Sequence, residues 1–117
     1  MSHRSKRKIL VTGGSSGIGA AIAQAFATNG DHVIATGVTK EEVERARVQS
    51  EQNKISFQQL DVRDANAVQD CIDEIDSLDV LVNCAGVIRR NAENQPEVFA
   101  DVIDINMRVC TAAREKL

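Results

Sequence analysis

The sequence predicts an α/β fold in which a parallel sheet carries helices on both faces. Four short apolar runs alternate with four helical segments, a pattern typical of successive βαβ units. The first run leads through the glycine-rich stretch 12–19 into an alanine-rich helical segment. The last run, 79–83, is almost wholly apolar, as expected for a strand covered on both faces. With right-handed crossovers, these units give a Rossmann-like sheet of four strands in the order 3-2-1-4.

The first half of the chain contains two predicted strands and two predicted helices. Lys8–Thr12 is a β-branched run that ends in glycines, and His32–Thr36 is a second run of this kind. Between them, the first helix ends at Asn29-Gly30, where Gly30 suits a left-handed cap. The spacing of Thr39–Glu42 predicts a capping box that starts a polar, solvent-exposed helix running to about Gln52. The helical spacing indicates that the first helix faces the core with Ile18, Ala21, Ile22, Ala25 and Phe26.

The second half repeats the pattern. Lys54–Leu60 alternates apolar and polar residues, which favours a third strand near a sheet edge. The next helix places Val68, Cys71, Ile72 and Ile75 on one face. After the fourth strand, a polar loop leads to Pro96, which suits the first position of a last helix. That helix is expected to face inward with Val98, Phe99, Val102, Ile103, Ile105, Val109, Cys110 and Ala113.

Length and charge narrow the class of protein. The 117 residues suit a single domain, 1–117, and show no linker or repeat. Apolar residues make up 43% of the chain and charged residues 26%, which is ordinary for a globular protein. The net charge of −3 gives no general attraction to nucleic acid or membrane, and the one basic cluster, 3–8, is interpreted as a solvated lead-in to the first strand. No apolar run is long enough to span a membrane, and the N-terminus lacks the pattern of a signal peptide.

The three cysteines are Cys71, Cys84 and Cys110. Their odd number and the absence of a C-x-x-C pair argue against a disulfide framework and against a metal site. All three lie in apolar surroundings and are expected in the core. A reducing, cytoplasmic compartment follows as the expected location.

The glycine-rich loop carries the strongest functional signal. Gly13, Gly17 and Gly19 are separated by three residues and then by one, between a predicted strand and a predicted helix. This arrangement presents backbone N–H groups and a helix N-terminus to a phosphate. Ser15 and Ser16 have hydroxyl groups that could bind phosphate or cap the helix. The context favours a dinucleotide site over a plain turn.

Four motifs in order resemble those of the short-chain dehydrogenase/reductase family. Thr12–Gly19 is similar to the cofactor motif T-G-x3-G-x-G, and Leu60–Val62 is similar to the motif of the adenine pocket. Asn83–Gly86 resembles the motif N-N-A-G with Cys84 in place of the second asparagine, and Asp104–Asn106 resembles the segment with an active-site asparagine. The resemblance implies hydride transfer between a nicotinamide and an alcohol or carbonyl carbon. Together with the loop, it implies cofactor binding by Gly13, Ser15, Ser16, Gly17, Ile18, Gly19, Gly37, Asp61, Val62, Asn83, Ala85 and Gly86.

Three of these positions have alternative interpretations. Asp61 is expected to meet the adenine amino group, but an aspartate here could also cap the following turn. Asn83 is expected to support the sheet and line the crevice, or else to be a turn residue. Asn106, the catalytic candidate, either belongs to a proton relay or bonds to neighbouring backbone, because an unpaired buried amide costs free energy.

The family's tyrosine and lysine pair has no counterpart in this sequence. The resemblance implies a tyrosine as general acid/base with a lysine four residues later, beyond the asparagine. The 117 residues contain no tyrosine, and the glycine-containing stretch expected a few residues after Asn106 is also missing. We therefore expect the chain to be a truncated cofactor-binding portion that is inactive alone. A non-catalytic nucleotide-binding or regulatory module is the alternative.

The form of the cofactor, NAD or NADP, depends on the end of the second strand. An acid about 20 residues past the glycines usually binds the ribose 2′-OH of NAD in this fold. Here Thr36, Gly37, Val38 and Thr39 provide none, and Thr39 and Lys40 could contact a 2′-phosphate. The residues therefore favour NADP slightly. No metal ligand set is indicated.

The predicted partners are the dinucleotide and a second copy of the chain. In a sheet of four strands, the fourth strand is an apolar edge that invites pairing. Self-association is expected through this edge or through the last helix.

Overall fold

The computed structural model describes residues 6–50, 55–84 and 96–117, with the side chains of 96–104 excepted. Strands and helices alternate along the described chain, and a single turn of 3-10 helix follows the last helix. The elements are β1 Lys8–Thr12, α1 Gly17–Thr28, β2 His32–Gly37, α2 Lys40–Gln49, β3 Ile55–Gln59, α3 Ala65–Asp73, β4 Val80–Asn83, α4 Pro96–Ala113 and the turn Arg114–Lys116.

The four described strands form one parallel sheet in the order β3-β2-β1-β4, which confirms the predicted topology. β1 pairs with both β2 and β4 in parallel register, with Val11 opposite Ala35 and Thr12 opposite Asn83. Because every pairing is parallel, the carboxyl ends of the four strands lie at one edge of the sheet. That edge is where ligands bind in doubly wound folds.

Two apolar clusters cover the two faces of the sheet. One cluster contains Leu10 of β1 and Ile34 of β2, packed against α3 and α4. The other contains the alternate residues Ile9 and Val11 of β1, packed against α1 and α2. The alternation of side chains along β1 therefore explains why helices are needed on both faces.

Burial differs between the centre and the edges of the sheet. Ile9 and Val11 of β1 are completely buried. Val80, Leu81 and Val82 of β4 are only half-buried, although the apolar run predicted a strand covered on both faces. In the described sheet, β4 has a neighbour on one side only, which leaves its other side open. The expectation that β3 lies near an edge is confirmed.

The buried face of α1 differs from the predicted one. Ile18, Ala21 and Ala25 are exposed, whereas the fully buried residues of this helix are Gly19 and Ala23. The helix approaches the sheet through its smallest residues, and this close approach rotates part of the apolar pattern outward. The spacing of apolar residues along the sequence does not reveal this close packing, because it depends on how hydrophobic the side chains are and not on how small they are.

The predicted start of α2, the cap after α1 and the start of α4 are confirmed, whereas α2 is shorter than predicted. The Thr39 hydroxyl accepts a hydrogen bond from the Glu42 backbone N–H at 3.1 Å, which caps α2. Gly30 has a φ of 95°, as expected for a residue that ends α1. Pro96 is the first residue of α4. α2 ends at Gln49, before the predicted Gln52, which lies outside the described residues.

The cysteines are not all core residues. Cys71 is buried, and burial raises the pKa of its thiol. Cys84 and Cys110 are exposed, contrary to the expectation. Cys84 follows the edge strand β4. Cys110 is on α4 where its Sγ accepts a hydrogen bond from Asn83 Nδ2 at 3.8 Å, at the partly open end of that strand.

A salt bridge joins the residue before β1 to the residue before β2, at the edge opposite the strands' carboxyl ends. The Arg7 guanidinium donates two hydrogen bonds to Asp31, at 3.2 and 2.9 Å, and lies 5.6 Å from the centre of the Phe26 ring. These hydrogen bonds lower the pKa of Asp31 to about 2.

We predict that Asp31→Asn removes part of the acid sensitivity of the fold. An aspartate in an unfolded chain titrates near about 3.9. The stability from the Arg7 pair is therefore fully present above that pH and is lost as the pH falls toward the folded-state pKa. Urea midpoints at a series of acid pH values measure how steeply the stability of the fold falls with pH. Asp76→Asn, at an exposed position, is the matched control. A variant that keeps the wild-type slope would contradict the assignment.

Candidate functional site

The sequence-predicted site residues follow the carboxyl ends of the strands. The glycine-rich loop joins β1 to α1, Gly37 is the last residue of β2, and Asn83 is the last residue of β4. β3 ends at Gln59, and after Leu60 the chain continues with Asp61 and Val62. Ala85 and Gly86 lie outside the described residues. All the described cofactor-binding candidates therefore belong to one edge of the sheet, and the catalytic candidate Asn106 is on α4.

The loop presents an open helix N-terminus. Gly13 and Gly17 have φ values of 69° and 58°, which lets the backbone turn sharply before α1. Ser16 occupies the N-cap position but makes no side-chain cap bond to the helix, so one of its two predicted roles is not realised. Ser16, Gly17 and Ile18 are exposed, and Ile18 is 78% exposed. The N–H groups of the first turn and an apolar side chain thus lie together on the surface.

Gly19 packs against the backbone of the same loop. A Cβ atom at Gly19 would lie 2.0 Å from the Gly13 carbonyl oxygen and 2.8 Å from its carbonyl carbon. The loop and the first turn of α1 are therefore in direct backbone contact. Any larger residue at this position would have to displace the loop.

The loop serines are held by a residue that sequence reasoning missed. Ser15 Oγ donates a hydrogen bond to Glu42 Oε1 at 2.8 Å, and Ser16 Oγ donates to the same oxygen at 2.9 Å. The bond from Ser15 is the largest cause of the lowered pKa of Glu42, so the carboxylate is ionised at neutral pH. The capping-box spacing placed Glu42 in the first turn of α2, but nothing in the sequence indicates that its side chain crosses to the loop.

Gly37 brings the end of β2 against the loop. A Cβ at Gly37 would lie 2.3 Å from Ser15 Oγ and 3.1 Å from a methyl of Val43. The Ser15 hydroxyl therefore lies directly over the last residue of β2. The loop, the end of β2 and the first turn of α2 form one continuous surface.

Asp61 is already engaged in the structure. Its carboxylate accepts a hydrogen bond from the Arg63 backbone N–H at 3.0 Å and a second from Arg63 Nη2 at 2.7 Å, which lowers the pKa of Asp61. This contact corresponds to the turn interpretation of Asp61. Val62 beside it is buried. The Leu60 N–H donates to the Gly37 carbonyl at 2.8 Å, so this segment lies against the end of β2.

Asn83 joins three elements. Its Oδ1 accepts a hydrogen bond from Thr12 Oγ1 at 2.8 Å, and its Nδ2 donates to the Asn106 carbonyl oxygen at 3.0 Å. Next to it, the Cys84 N–H donates to the Thr12 carbonyl at 3.1 Å. The side chain of Asn83 thus ties the end of β4 to both β1 and α4.

Asn106 has a side-chain oxygen that remains available. Within the described part of the chain, Asn106 Oδ1 is buried and has no hydrogen-bond partner. No described backbone group donates a hydrogen bond to this oxygen. A buried amide oxygen without a donor is costly, which marks the position as one where a partner is missing.

The described residues provide neither a metal-binding cluster nor a membrane-spanning helix. In residues 6–50, 55–84 and 105–117, no group of three or more His, Cys, Asp or Glu side chains is arranged to hold a metal ion. Within the helices that the structure describes, none has both the length and the apolarity needed to cross a membrane.

The strand order and the alternating helices define a doubly wound α/β protein with a Rossmann-like sheet. The family profile described as short chain dehydrogenase matches residues 7–113. The chain belongs to the short-chain dehydrogenase/reductase family.

Curated relatives and solved structures agree with this assignment. The chain is 38% identical to the 3-oxoacyl-(acyl-carrier-protein) reductase FabG of Chlamydia pneumoniae over 73% of this chain and 37% of that protein. It is 32% identical to the 3alpha-hydroxysteroid dehydrogenase of Mediterraneibacter gnavus over 96% of this chain and 50% of that protein. A dehydrogenase/reductase structure from Sinorhizobium meliloti matches with a TM-score of 0.77 and 31% identity, covering 95% of this chain and 49% of that one. The chain therefore spans half or less of the length of these proteins.

Proposed function

We propose that the chain binds a nicotinamide dinucleotide at the carboxyl edge of its sheet, as the cofactor-binding portion of a short-chain dehydrogenase-like oxidoreductase. The observation that carries this is the open N-terminus of α1, where Ser16 makes no side-chain cap and Gly17 and Ile18 are exposed. Free N–H groups and the helix dipole at such a terminus favour a pyrophosphate. The exposed Ile18 is an apolar surface that a bound cofactor would cover. The residues present therefore fit the group.

Each candidate residue has a role in this proposal. The bound cofactor would supply the hydride-transferring nicotinamide in the complete family enzyme. The loop would hold the pyrophosphate, Asp61 and Val62 would contact the adenine, and Asn83 would fix the wall of the crevice next to α4. The loop residues are Gly13, Ser15, Ser16, Gly17, Ile18 and Gly19, and Gly37, Ala85 and Gly86 complete the proposed set.

Asn106 is proposed to hold a proton donor in the complete site. Its buried Oδ1 has no partner among the described residues, so a water or substrate hydroxyl could donate to it. Its backbone carbonyl is already fixed by Asn83. Asn106 would then act by positioning, because an amide neither gains nor loses a proton near neutral pH.

We also propose that these 117 residues bind without turnover. They contain no tyrosine, so the general acid/base that the family resemblance implies cannot come from this sequence. That same observation supports the second candidate, a non-catalytic nucleotide-binding or regulatory module.

Two measurements on the chain test the proposal. Fluorescence titration with NADH and with NADPH is expected to show saturable binding of at least one of them. A turnover assay over a broad panel of ketones and alcohols is expected to show none. Absence of binding would leave only a structural α/β domain, and turnover by the chain alone would refute the claim of inactivity.

Self-association through β4 or α4 remains part of the proposal. The apolar residues of β4 are half-buried, and Met107 of α4 is 59% exposed. We predict a concentration-dependent dimer in sedimentation experiments. Met107→Glu should weaken the dimer if α4 is the interface and leave it unchanged if β4 is. A monomer that persists at high concentration would contradict both.

A cytoplasmic location is also proposed. The free thiols of Cys71, Cys84 and Cys110 support a reducing compartment, where cysteines stay unpaired. Cell fractionation with a thiol-alkylation assay would test it.

A further inference from the structure

Glu42 brings a carboxylate to the end of β2, where the sequence provides none on the strand itself. Gly37, Val38 and Thr39 carry no acid. Glu42 is on the next helix, in the first turn of α2, yet its Oε1 is within hydrogen-bond distance of Ser15 and Ser16 in the glycine-rich loop. The carboxylate therefore lies between α2 and the loop, where it is partly exposed.

The position of Ser15 fixes where this carboxylate lies. The Ser15 hydroxyl is directly over Gly37, close enough that a Cβ there would be 2.3 Å away. The same hydroxyl donates a hydrogen bond of 2.8 Å to Glu42 Oε1, so the carboxylate lies close to the end of β2. In doubly wound folds, the end of the second strand is where an acid meets the ribose 2′-OH of the adenosine half. Glu42 reaches this place from the helix.

The charge of Glu42 is not neutralised by any described side chain. Among the described side chains, no ion pair includes Glu42. Its two serine partners both donate to Oε1, and the backbone N–H groups of Val38 and Thr39 also donate to the carboxylate, so every one of these partners is a neutral donor. A carboxylate in this state can accept a hydrogen bond from a ribose hydroxyl, and it repels a phosphate dianion.

We infer that Glu42 is the specificity-determining residue of the cofactor site, which binds the ribose of NAD and excludes the 2′-phosphate of NADP. The inference rests on the proposed function. It reverses the slight preference for NADP that Thr39 and Lys40 indicated in the sequence. Those two residues are in the same turn, but the carboxylate is the group that the structure holds against the loop.

The test compares cofactor affinities in the wild type, Glu42→Gln and Glu41→Gln. The dissociation constants for NADH and NADPH are measured by fluorescence and by calorimetry. We expect the wild type to bind NADH at least about tenfold more tightly than NADPH. Glu42→Gln should reduce this ratio to about threefold or less, mainly by tighter binding of NADPH. Glu41 is exposed in the same turn, so Glu41→Gln changes the net charge equally and should leave the ratio near its wild-type value.

Ionic strength gives a second measurement that needs no variant. Salt screens the repulsion of a partly exposed charge, so the wild-type ratio should fall as the salt concentration rises. Wild-type binding of NADPH as tight as that of NADH would overturn the assignment of Glu42 and leave the proposed function intact. Equal effects of Glu41→Gln and Glu42→Gln would also overturn it. Failure of the wild type to bind either cofactor would overturn the proposed function and this inference together.

Discussion

Gly19→Ala is expected to abolish dinucleotide binding and to reduce the free energy of unfolding by about 3 kcal/mol. The new methyl group would lie 2.0 Å from the Gly13 carbonyl oxygen and 3.2 Å from the Gly14 Cα. All of these atoms are backbone, so no side chain can rotate away to relieve the contact. The loop itself has to move, and the serines that it carries move with it.

Gly17→Ala is the matched comparison. Gly17 is two residues earlier in the same loop, has a φ of 58°, and has no atom within 4 Å of a Cβ placed there. Alanine at this position costs about 1 kcal/mol through its backbone conformation alone. Urea unfolding and NADH titration of both variants separate overpacking from backbone strain. A Gly19→Ala protein with wild-type stability and affinity would refute the close contact between loop and helix.

The sheet was predictable because its signals are local and repeated. β1 is an apolar run that ends in glycines, and β2 is an apolar run between Gly30 and Gly37. Because a helical segment separates them, the right-handed crossover rule predicts that they pair in parallel. The caps at Thr39 and Gly30 were predictable for the same reason, since capping chemistry acts over a few residues. The exposure of Ile18 was not predictable, because it follows from how closely Gly19 approaches the loop.

The glycine-rich loop of the candidate site could be predicted from the sequence, but the hydrogen bonds between its side chains could not. The spacing of Gly13, Gly17 and Gly19 was enough to indicate a phosphate site. The contact of Glu42 with Ser15 joins residues 27 positions apart. No short pattern encodes such a contact, because it depends on how α2 is oriented against the loop. The same limit applies to Asn83 and Asn106, 23 positions apart.

Asn83→Ala is expected to lower the free energy of unfolding by about 2–3 kcal/mol, because it removes hydrogen bonds at a half-buried junction of three elements. The lost bonds are those with Thr12 Oγ1 at 2.8 Å, with the Asn106 carbonyl at 3.0 Å and, more weakly, with Cys110 Sγ at 3.8 Å. Asn66→Ala, at an exposed position of α3, is the control for replacing an asparagine and should change stability by no more than about 0.5 kcal/mol.

Asn83→Asp tests the donor and the acceptor of this side chain separately. The carboxylate keeps an acceptor for Thr12 but turns a negative oxygen toward the Asn106 carbonyl, which raises its pKa in the folded protein. Stability relative to the wild type should therefore be greatest at acid pH, where the carboxyl keeps a proton for that carbonyl. It should then be lost as the pH rises through the raised pKa. Urea midpoints over a pH series measure the difference between variant and wild type. A difference that does not change with pH would mean that Asn83 Nδ2 does not hold α4, and that the junction depends on the Thr12 bond alone.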